Sequence, residues 1–324
     1  MQYAIGVDLG GTKTAAGVVS ASGEVLFSET IPTLNRDGGE AILDATAAVV
    51  AGLMERARAQ GLDVGLVGVG SAGVIDAGRG MVVSATDAIL GWAGTELATG
   101  LARRLGLAPE SVRAVNDVHA HALGEAWTGA AAGTASSLLV AFGTGVGGSF
   151  VLAGSPVLGH RHVAGHVGHI ASPFAYSRGR ALACVCGGAG HVEAIASGPA
   201  IREAYLRLGG SQDVADTRAV FVRAHDGEAP AIAAIGGAAA AAGQAVGGLA
   251  NVLDPELVVV TGGLADAGEL WWKPMETALR AELLAPLVDL PVRRAALGNT
   301  AAVIGAANLV LNQPSATKDL RETA

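Results

Sequence analysis

The segment Ala4-Ile-Gly-Val-Asp-Leu-Gly-Gly-Thr-Lys-Thr-Ala-Ala-Gly-Val-Val19 reads as two apolar β-strands joined by a glycine turn. The same design returns at Leu138-Leu-Val-Ala-Phe-Gly-Thr-Gly-Val-Gly-Gly-Ser-Phe-Val-Leu152. Glycine lets the backbone turn sharply and brings bare N–H groups close to anionic oxygens, while Thr12 and Thr144 each add a hydroxyl donor. Two such hairpins can face each other across a cleft and hold one polyphosphate between them. The chain is therefore read first as a nucleotide binder.

Working outward, strand patterns cover 3–8, 14–20 and 24–30, followed by an amphipathic helix from about Gly38 to Arg58. A strand at 64–70, a loop through Trp92, a helix near 94–105 and a strand at 112–115 come next, and a further helix opens at Asn116-Asp117. The order βββαβαβα starts again at Ser137, with a glycine hairpin, an irregular section over 154–190, three helices, a strand from Leu257 to Val260 and a helix after Gly262-Gly263. The second half thus repeats the first with an insertion. An α/β architecture in two domains is expected, 1–115 and 116–298, with a final helix at about 299–312 crossing back onto the first. The stretch 313–324 is polar and expected to fray.

Composition narrows the function. A chain of 324 residues that is 51% apolar can bury two modest cores. A net charge of -8 with no basic run argues against nucleic acid as a ligand, because duplex binding depends on clustered Lys and Arg. No basic n-region or long apolar h-region is seen near Tyr3, so no signal peptide is expected and the location is read as cytoplasmic. The Ala- and Gly-rich stretch 231–253 is only weakly apolar and is interrupted by Gln244, which suits a buried helix and no membrane association. Cys184 and Cys186 are the two cysteines, one residue apart; they exclude a disulfide framework and suit either metal ligation or reduced thiols.

Gly143-Thr-Gly145-Val-Gly-Gly148 satisfies the G-x-G-x-x-G pattern after a strand, yet a dinucleotide site needs a helix next and an acidic residue about twenty positions on. Here Ser149-Phe-Val-Leu152 continues as a strand, and no Asp or Glu occurs between Glu125 and Glu193. The phosphate loop G-x-x-x-x-G-K-[ST] is also missing from the sequence.

Six motifs set the reading. Asp8-Leu-Gly-Gly-Thr-Lys13, Val115-Asn-Asp117, the Gly143 to Gly148 turn, Ala164-Gly-His-Val-Gly-His169, Cys184-Val-Cys-Gly-Gly-Ala-Gly-His-Val-Glu193 and Thr261-Gly-Gly263 occur in this order. In that order they resemble the ROK family of sugar kinases over essentially the whole chain. The resemblance implies the two-domain, actin-like (ribonuclease H-type) ATPase fold with its active-site cleft between the domains, and ATP- and Mg²⁺-dependent phosphorylation of a sugar hydroxyl. It also implies a homodimer or higher homo-oligomer. Some family members are sugar-sensing repressors with a winged helix-turn-helix segment ahead of the kinase-like body. Here that body begins at Tyr3, and an enzyme is expected.

A sugar hydroxyl is a poor nucleophile at neutral pH and needs a carboxylate to take its proton as the bond to phosphorus develops. Asp117, just after a strand at a helix start, suits a helix cap as well as a base; the resemblance implies the base. Asn116 suits a sugar contact or turn formation. Asp8 is expected to organise Mg²⁺, through water, since that ion keeps much of its hydration. Lys13 suits phosphate neutralisation or plain solvation. Gly10, Gly11, Thr12, Gly143, Thr144, Gly145, Gly262 and Gly263 complete the expected nucleotide contacts.

In the family a His and three Cys hold a structural zinc, and the matching positions here are His169, Cys184, Cys186 and, in place of the last Cys, His191. Two His and two Cys still form a tetrahedral set with no open position. Expected sugar contacts are Asn116, Asp117, His169 and Glu193, with His169 using one ring nitrogen for zinc and the other for sugar. Two departures bear on substrate choice. His166 stands where hexokinase-type members carry Glu, and Ala88 stands where many carry Asn, with Thr86 and Asp87 alongside. The A-G-H-x-G-H variant resembles bacterial N-acetylmannosamine kinases, so phosphorylation of the 6-hydroxyl of an N-acylhexosamine is expected, with glucose or a broader hexose set as the alternative.

Overall fold

The computed structural model describes residues 2–86 and 88–312. Asp87, expected near the sugar, and the stretch 313–324, expected to fray, lie outside the described residues. The chain divides into two compact units, Met1–Thr128 together with Asn299–Ala324, and Gly129–Gly298.

The first unit carries β1 (Tyr3–Leu9), β2 (Lys13–Ser20), β3 (Val25–Pro32), α1 (Gly39–Ala59), β4 (Val64–Ser71), β5 (Val74–Asp76), β6 (Met81–Ser84), α2 (Leu97–Leu105), β7 (Val112–Asn116) and α3 (Asp117–Thr128). The second carries β8 (Ser136–Phe142), β9 (Val146–Leu152), β10 (Ser155–Pro156), β11 (Tyr176–Ser177), β12 (Arg180–Ala181), α4 (Glu193–Ala196), α5 (Gly198–Arg207), α6 (Thr217–His225), α7 (Ala229–Leu253), β13 (Leu257–Thr261), α8 (Glu269–Glu282) and β14 (Val292–Arg294). Helix α9 (Ala301–Leu311) then returns to the first unit.

The main sheet of the first unit has the order β3-β2-β1-β4-β7, with β1 antiparallel to β2, β2 antiparallel to β3, and β4 and β7 added in parallel. The second unit repeats it as β10-β9-β8-β13-β14 with the same directions. Both sheets therefore run third, second, first, fourth, fifth, and the repeat foreshadowed by the two glycine hairpins is present in three dimensions. This is the actin-like ATPase topology.

Burial explains the strands. Ile5, Val7, Leu9, Val67 and Val69 are buried in one cluster with Leu43, Val50 and Leu53 of α1. Helices α3 and α9 pack together, and α9 also meets β1 and β4. That contact is close because a Cβ on Gly6 would collide with the carbonyl oxygen of Val303, and one on Gly68 with that of Ala306. Only glycine lets the helix backbone lie so near the sheet.

Four details differ from the sequence reading. Helix α3 packs with α9 in the first unit, so the unit boundary falls after Thr128 and not before Asn116. Helix α2 begins at Leu97, because Gly94 takes a left-handed φ of 85° and the chain turns there. Helix α8 begins only at Glu269, after the turn that Gly262 opens. The small strands β5, β6, β10, β11, β12 and β14 were not foreseen, being two to four residues long. Helix α7 is long and apolar enough to cross a membrane by length and composition. Half of its most apolar window is buried in the unit, and Gln244 donates to Glu282 Oε1 at 2.9 Å. It is a core helix packed on α8.

Candidate active site

In the first unit the parallel strands β1, β4 and β7 end side by side, with Asp8 opposite Gly70 and Gly70 opposite Val115. One residue on, Leu9, Ser71 and Asn116 align. Carboxyl ends of parallel strands are where open α/β sheets place ligands. Asp8 and Asp117 are thus brought to one edge. Burial pushes Asp8 up to about 6 from its ordinary 3.8; repulsion from Asp117 adds to this and attraction to Lys13 opposes it. A carboxylate in that state favours a cation beside it. Two carboxylates and one exposed lysine at a glycine turn suit an Mg²⁺-bound polyphosphate.

Asn116 is held on both sides of its amide. Its Nδ2 donates to the Gly73 carbonyl at 2.9 Å, and its Oδ1 accepts from the Val118 N–H at 2.9 Å. One N–H and one lone pair of the amide remain for a polar ligand. Asp117 Oδ1 also accepts from Val118 N–H, at 2.9 Å, so its rotamer is fixed from the start of α3. Trp92 is buried and its indole N–H donates to Ser71 Oγ and to the Ala72 carbonyl, anchoring the segment after Asp87 to the end of β4.

In the second unit, the turn between β8 and β9 is closed by a bond from Gly143 N–H to the Gly145 carbonyl at 2.9 Å, and Gly198 N–H donates to the Gly143 carbonyl at 2.8 Å. Beside this turn lies a cavity of about 610 Å³ lined by Gly143, Thr144, Pro199, Thr217, Phe221 and Gly263 among others. A volume of this size suits a nucleoside. The starts of α5 and α6 border it, each with a side-chain cap: Ser197 accepts from Ala200 N–H and Asp216 from Ala219 N–H. The sequence reading placed Gly143, Thr144 and Gly263 here but missed Thr217 and Phe221. The available signal was Asp216 followed by an apolar-periodic run, a helix start of the kind that borders the cavity. Gly262 turns the chain beneath, at a φ of 92°.

The segment 166–193 brings four donors together. The ligand atoms of His169, Cys184, Cys186 and His191 all lie within 4.8 Å of one another. Cys184 Sγ is 3.6 Å from His169 Nδ1, and Cys186 Sγ is 3.3 Å from His191 Nδ1. Zinc–sulfur and zinc–nitrogen bonds of about 2.3 and 2.1 Å at tetrahedral angles give an S···N edge of about 3.6 Å, so the donors fit that metal. Burial pushes the Cys184 thiol up, and a bound cation would ionise it. Short backbone bonds shape the loop, Cys184 N–H to the Gly188 carbonyl at 2.8 Å and Gly187 N–H to the Cys184 carbonyl at 3.0 Å.

Glu193 opens α4 and is buried, its Oε2 accepting the Val146 N–H at 2.7 Å. A side chain at 145 would press a Cβ to 2.9 Å from that oxygen, so glycine keeps the carboxylate against the turn between β8 and β9. His166 is exposed, with ring centroids 6.2 Å from His169 and planes 28° apart. Its Nδ1 lies 3.0 Å from the Val163 carbonyl. A carbonyl only accepts, so Nδ1 carries the proton and Nε2 of the neutral ring is an acceptor.

Residues 4–313 match the ROK family. The chain is 34% identical to the glucokinase of Streptomyces coelicolor over 95% of this chain and 98% of that protein. It is 31% identical to the N-acetylmannosamine kinase of Escherichia coli O157:H7, over 88% of this chain and 91% of the relative. Among solved structures, a ROK family glucokinase from Streptomyces griseus in complex with glucose and AMPPNP superposes with a TM-score of 0.77 at 32% identity, covering 95% of this chain and 98% of that one. The chain belongs to the ROK family, and it is an ATP-dependent carbohydrate kinase of that family.

Proposed function

We propose that the protein transfers the γ-phosphoryl group of ATP to the 6-hydroxyl of an N-acylhexosamine, N-acetylmannosamine in particular. The observation that carries the reading is His166. A carboxylate at this place offers several lone pairs and suits neighbouring hydroxyls, whereas His166, with Nδ1 committed to Val163, offers one lone pair on Nε2. One acceptor matches the single N–H of an acylamino substituent. Ala88, small where family members carry Asn, leaves room for the acyl group. The relative named N-acetylmannosamine kinase supports the same substrate class.

In this reading Asp117 accepts the proton of the sugar hydroxyl as its oxygen bonds to the γ-phosphorus; the bond from that phosphorus to the bridging oxygen breaks and ADP leaves. Asn116, His169 and Glu193 hold the other sugar hydroxyls. Asp8 would hold the Mg²⁺ that ATP brings, with Lys13 alongside, and that ion would neutralise phosphate charge. Gly10, Gly11, Thr12, Gly143, Thr144, Gly145 and Gly263 present the backbone donors for the nucleotide. His169, Cys184, Cys186 and His191 would hold a structural zinc that fixes the approach to Glu193.

The glucokinase relatives favour glucose as the second reading. The test is kcat/KM for N-acetylmannosamine and for glucose in the wild type and in His166→Glu. A polar group left without its partner costs about 1–3 kcal/mol, so the wild type should prefer N-acetylmannosamine by roughly tenfold or more. His166→Glu should move the ratio toward glucose. A wild type that prefers glucose overturns the substrate; an unchanged ratio in the variant overturns the role of His166.

A further inference from the structure

The turn between β1 and β2 is clamped from outside by the residues that follow β3. Thr33, buried, gives its hydroxyl proton to the Gly10 carbonyl at 2.8 Å, and its backbone N–H donates to the Thr12 carbonyl at 3.0 Å. Since the single Thr33 proton is spent on Gly10, Thr14 Oγ1 is the donor in the 2.8 Å contact between the two hydroxyls. Asn35 Nδ2 donates to the Gly11 carbonyl at 2.7 Å. Three consecutive carbonyls, of Gly10, Gly11 and Thr12, are thereby engaged by residues 33 and 35. Among the described residues the N–H groups of Gly11 and Thr12 have no acceptor. A turn whose carbonyls are tied off while its amides are left over is one prepared for an anion.

Asn35 has a second attachment. Its own carbonyl accepts the Leu90 N–H at 2.9 Å. Leu90 lies two residues after Ala88, and a Cβ on Gly11 would sit 3.7 Å from the Ala88 Cβ, in ordinary contact. The segment that carries the sugar-side departure therefore passes about one methyl group's width from the turn, and Asn35 bonds to both.

We infer that Asn35 is a positioning residue: its side chain fixes the phosphate turn, and its main chain fixes the segment bearing Ala88 against that turn. The inference goes beyond the substrate assignment and rests on reading Gly10 to Thr12 as a phosphate cradle. Asn35 touches neither ATP nor sugar in this account. It sets the register between the parts that do, and a rigid support of this kind is what keeps a donor array within the tolerance that phosphoryl transfer demands.

The test uses the full-length enzyme. Asn35→Asp has nearly the same shape but faces the Gly11 carbonyl with an acceptor, while any side chain at 35 leaves the bond to Leu90 in place. It should lower kcat/KM for MgATP by about 10- to 100-fold, with sugar affinity, measured calorimetrically without nucleotide, changed less than twofold. Thr33→Val should act in the same direction and Thr33→Ser should restore near wild-type values. A folded Asn35→Asp enzyme with kcat/KM for MgATP within twofold of wild type overturns the inference. So does a parallel fall of ATP and sugar affinity in step with thermal stability, which marks a residue that only holds the fold. Thr12→Val separates the two readings: if it impairs MgATP use and Asn35→Asp does not, the positioning role alone fails. If neither does, the phosphate assignment of the turn fails with it.

Discussion

Replacing Asp8 by Asn should stabilise the resting protein while disabling it. The Asp8 carboxyl titrates at about 6 in the folded chain, against an ordinary value of 3.8, with burial the larger cause and Asp117 the second. Between those two values the folded state holds a proton that the unfolded state has released, so folding stability falls as pH rises through this window and the full penalty is present above about 6. A shift of about two units corresponds to roughly 3 kcal/mol at neutral pH. Asn carries no charge and escapes the penalty. For a unit of this size 1 kcal/mol moves the melting temperature by about 2–4 °C, so Asp8→Asn should melt roughly 6–12 °C higher at pH 7.5. The assay is thermal unfolding followed by circular dichroism, without nucleotide or added Mg²⁺ and without chelator, so that any structural zinc stays in place. The gain should shrink as pH falls and vanish near pH 4, where wild-type Asp8 is protonated in the folded state. The same variant should lose more than a hundredfold in kcat. An Asp8→Asn protein that melts at or below the wild-type temperature at pH 7.5 would refute the claim that this carboxylate is held at an energetic cost for the sake of a cation.

The other expectations concern the base, the metal and the packing of α9. Asp117→Ala should reduce kcat by about a hundredfold to ten-thousandfold while sugar binding stays detectable by calorimetry, and a kcat near wild type would remove Asp117 from the mechanism. Purified protein should carry about one zinc per chain by metal analysis; Cys184→Ser should lose it along with thermal stability, and active protein free of zinc would reject the site. Gly6→Val should force α9 away from the sheet and destabilise by more than about 3 kcal/mol in chemical denaturation, whereas Gly106→Ala, where a Cβ meets nothing and the residue closes α2 in the left-handed helical region at a φ of 66°, should cost only about 1–2 kcal/mol.

What could be read in the sequence was whatever depends on short-range chemistry. The two glycine hairpins need their turn residues locally, and the strands beside them need apolar side chains in sequence, so β1, β2, β8 and β9 stand out. Cys184 and Cys186, one residue apart, suggest either metal ligation or reduced thiols, while His169 and His191 join them only through the resemblance to ROK kinases. Partnerships over long separations stayed hidden. The bond from Asn35 to Gly11 spans 24 residues and begins in a polar loop whose composition suggests only a turn. The allegiance of α3 depends on α9, more than 170 residues later, and on glycines at 124 and 305 that read in sequence as helix-weakening. Thr217 and Phe221 line the cavity because α5 and α6 happen to start there, and neither residue type signals a nucleotide by itself.

The most direct measurement of the central claim is ³¹P NMR of the purified protein with MgATP and N-acetylmannosamine. The products should be ADP and a sugar 6-phosphate in equal amounts, the phosphorus coupled to the two C6 protons, at a rate that Asp117→Ala lowers by about a hundredfold or more. Phosphorylation at another hydroxyl, or ADP formation that neither this sugar nor glucose stimulates, would contradict it.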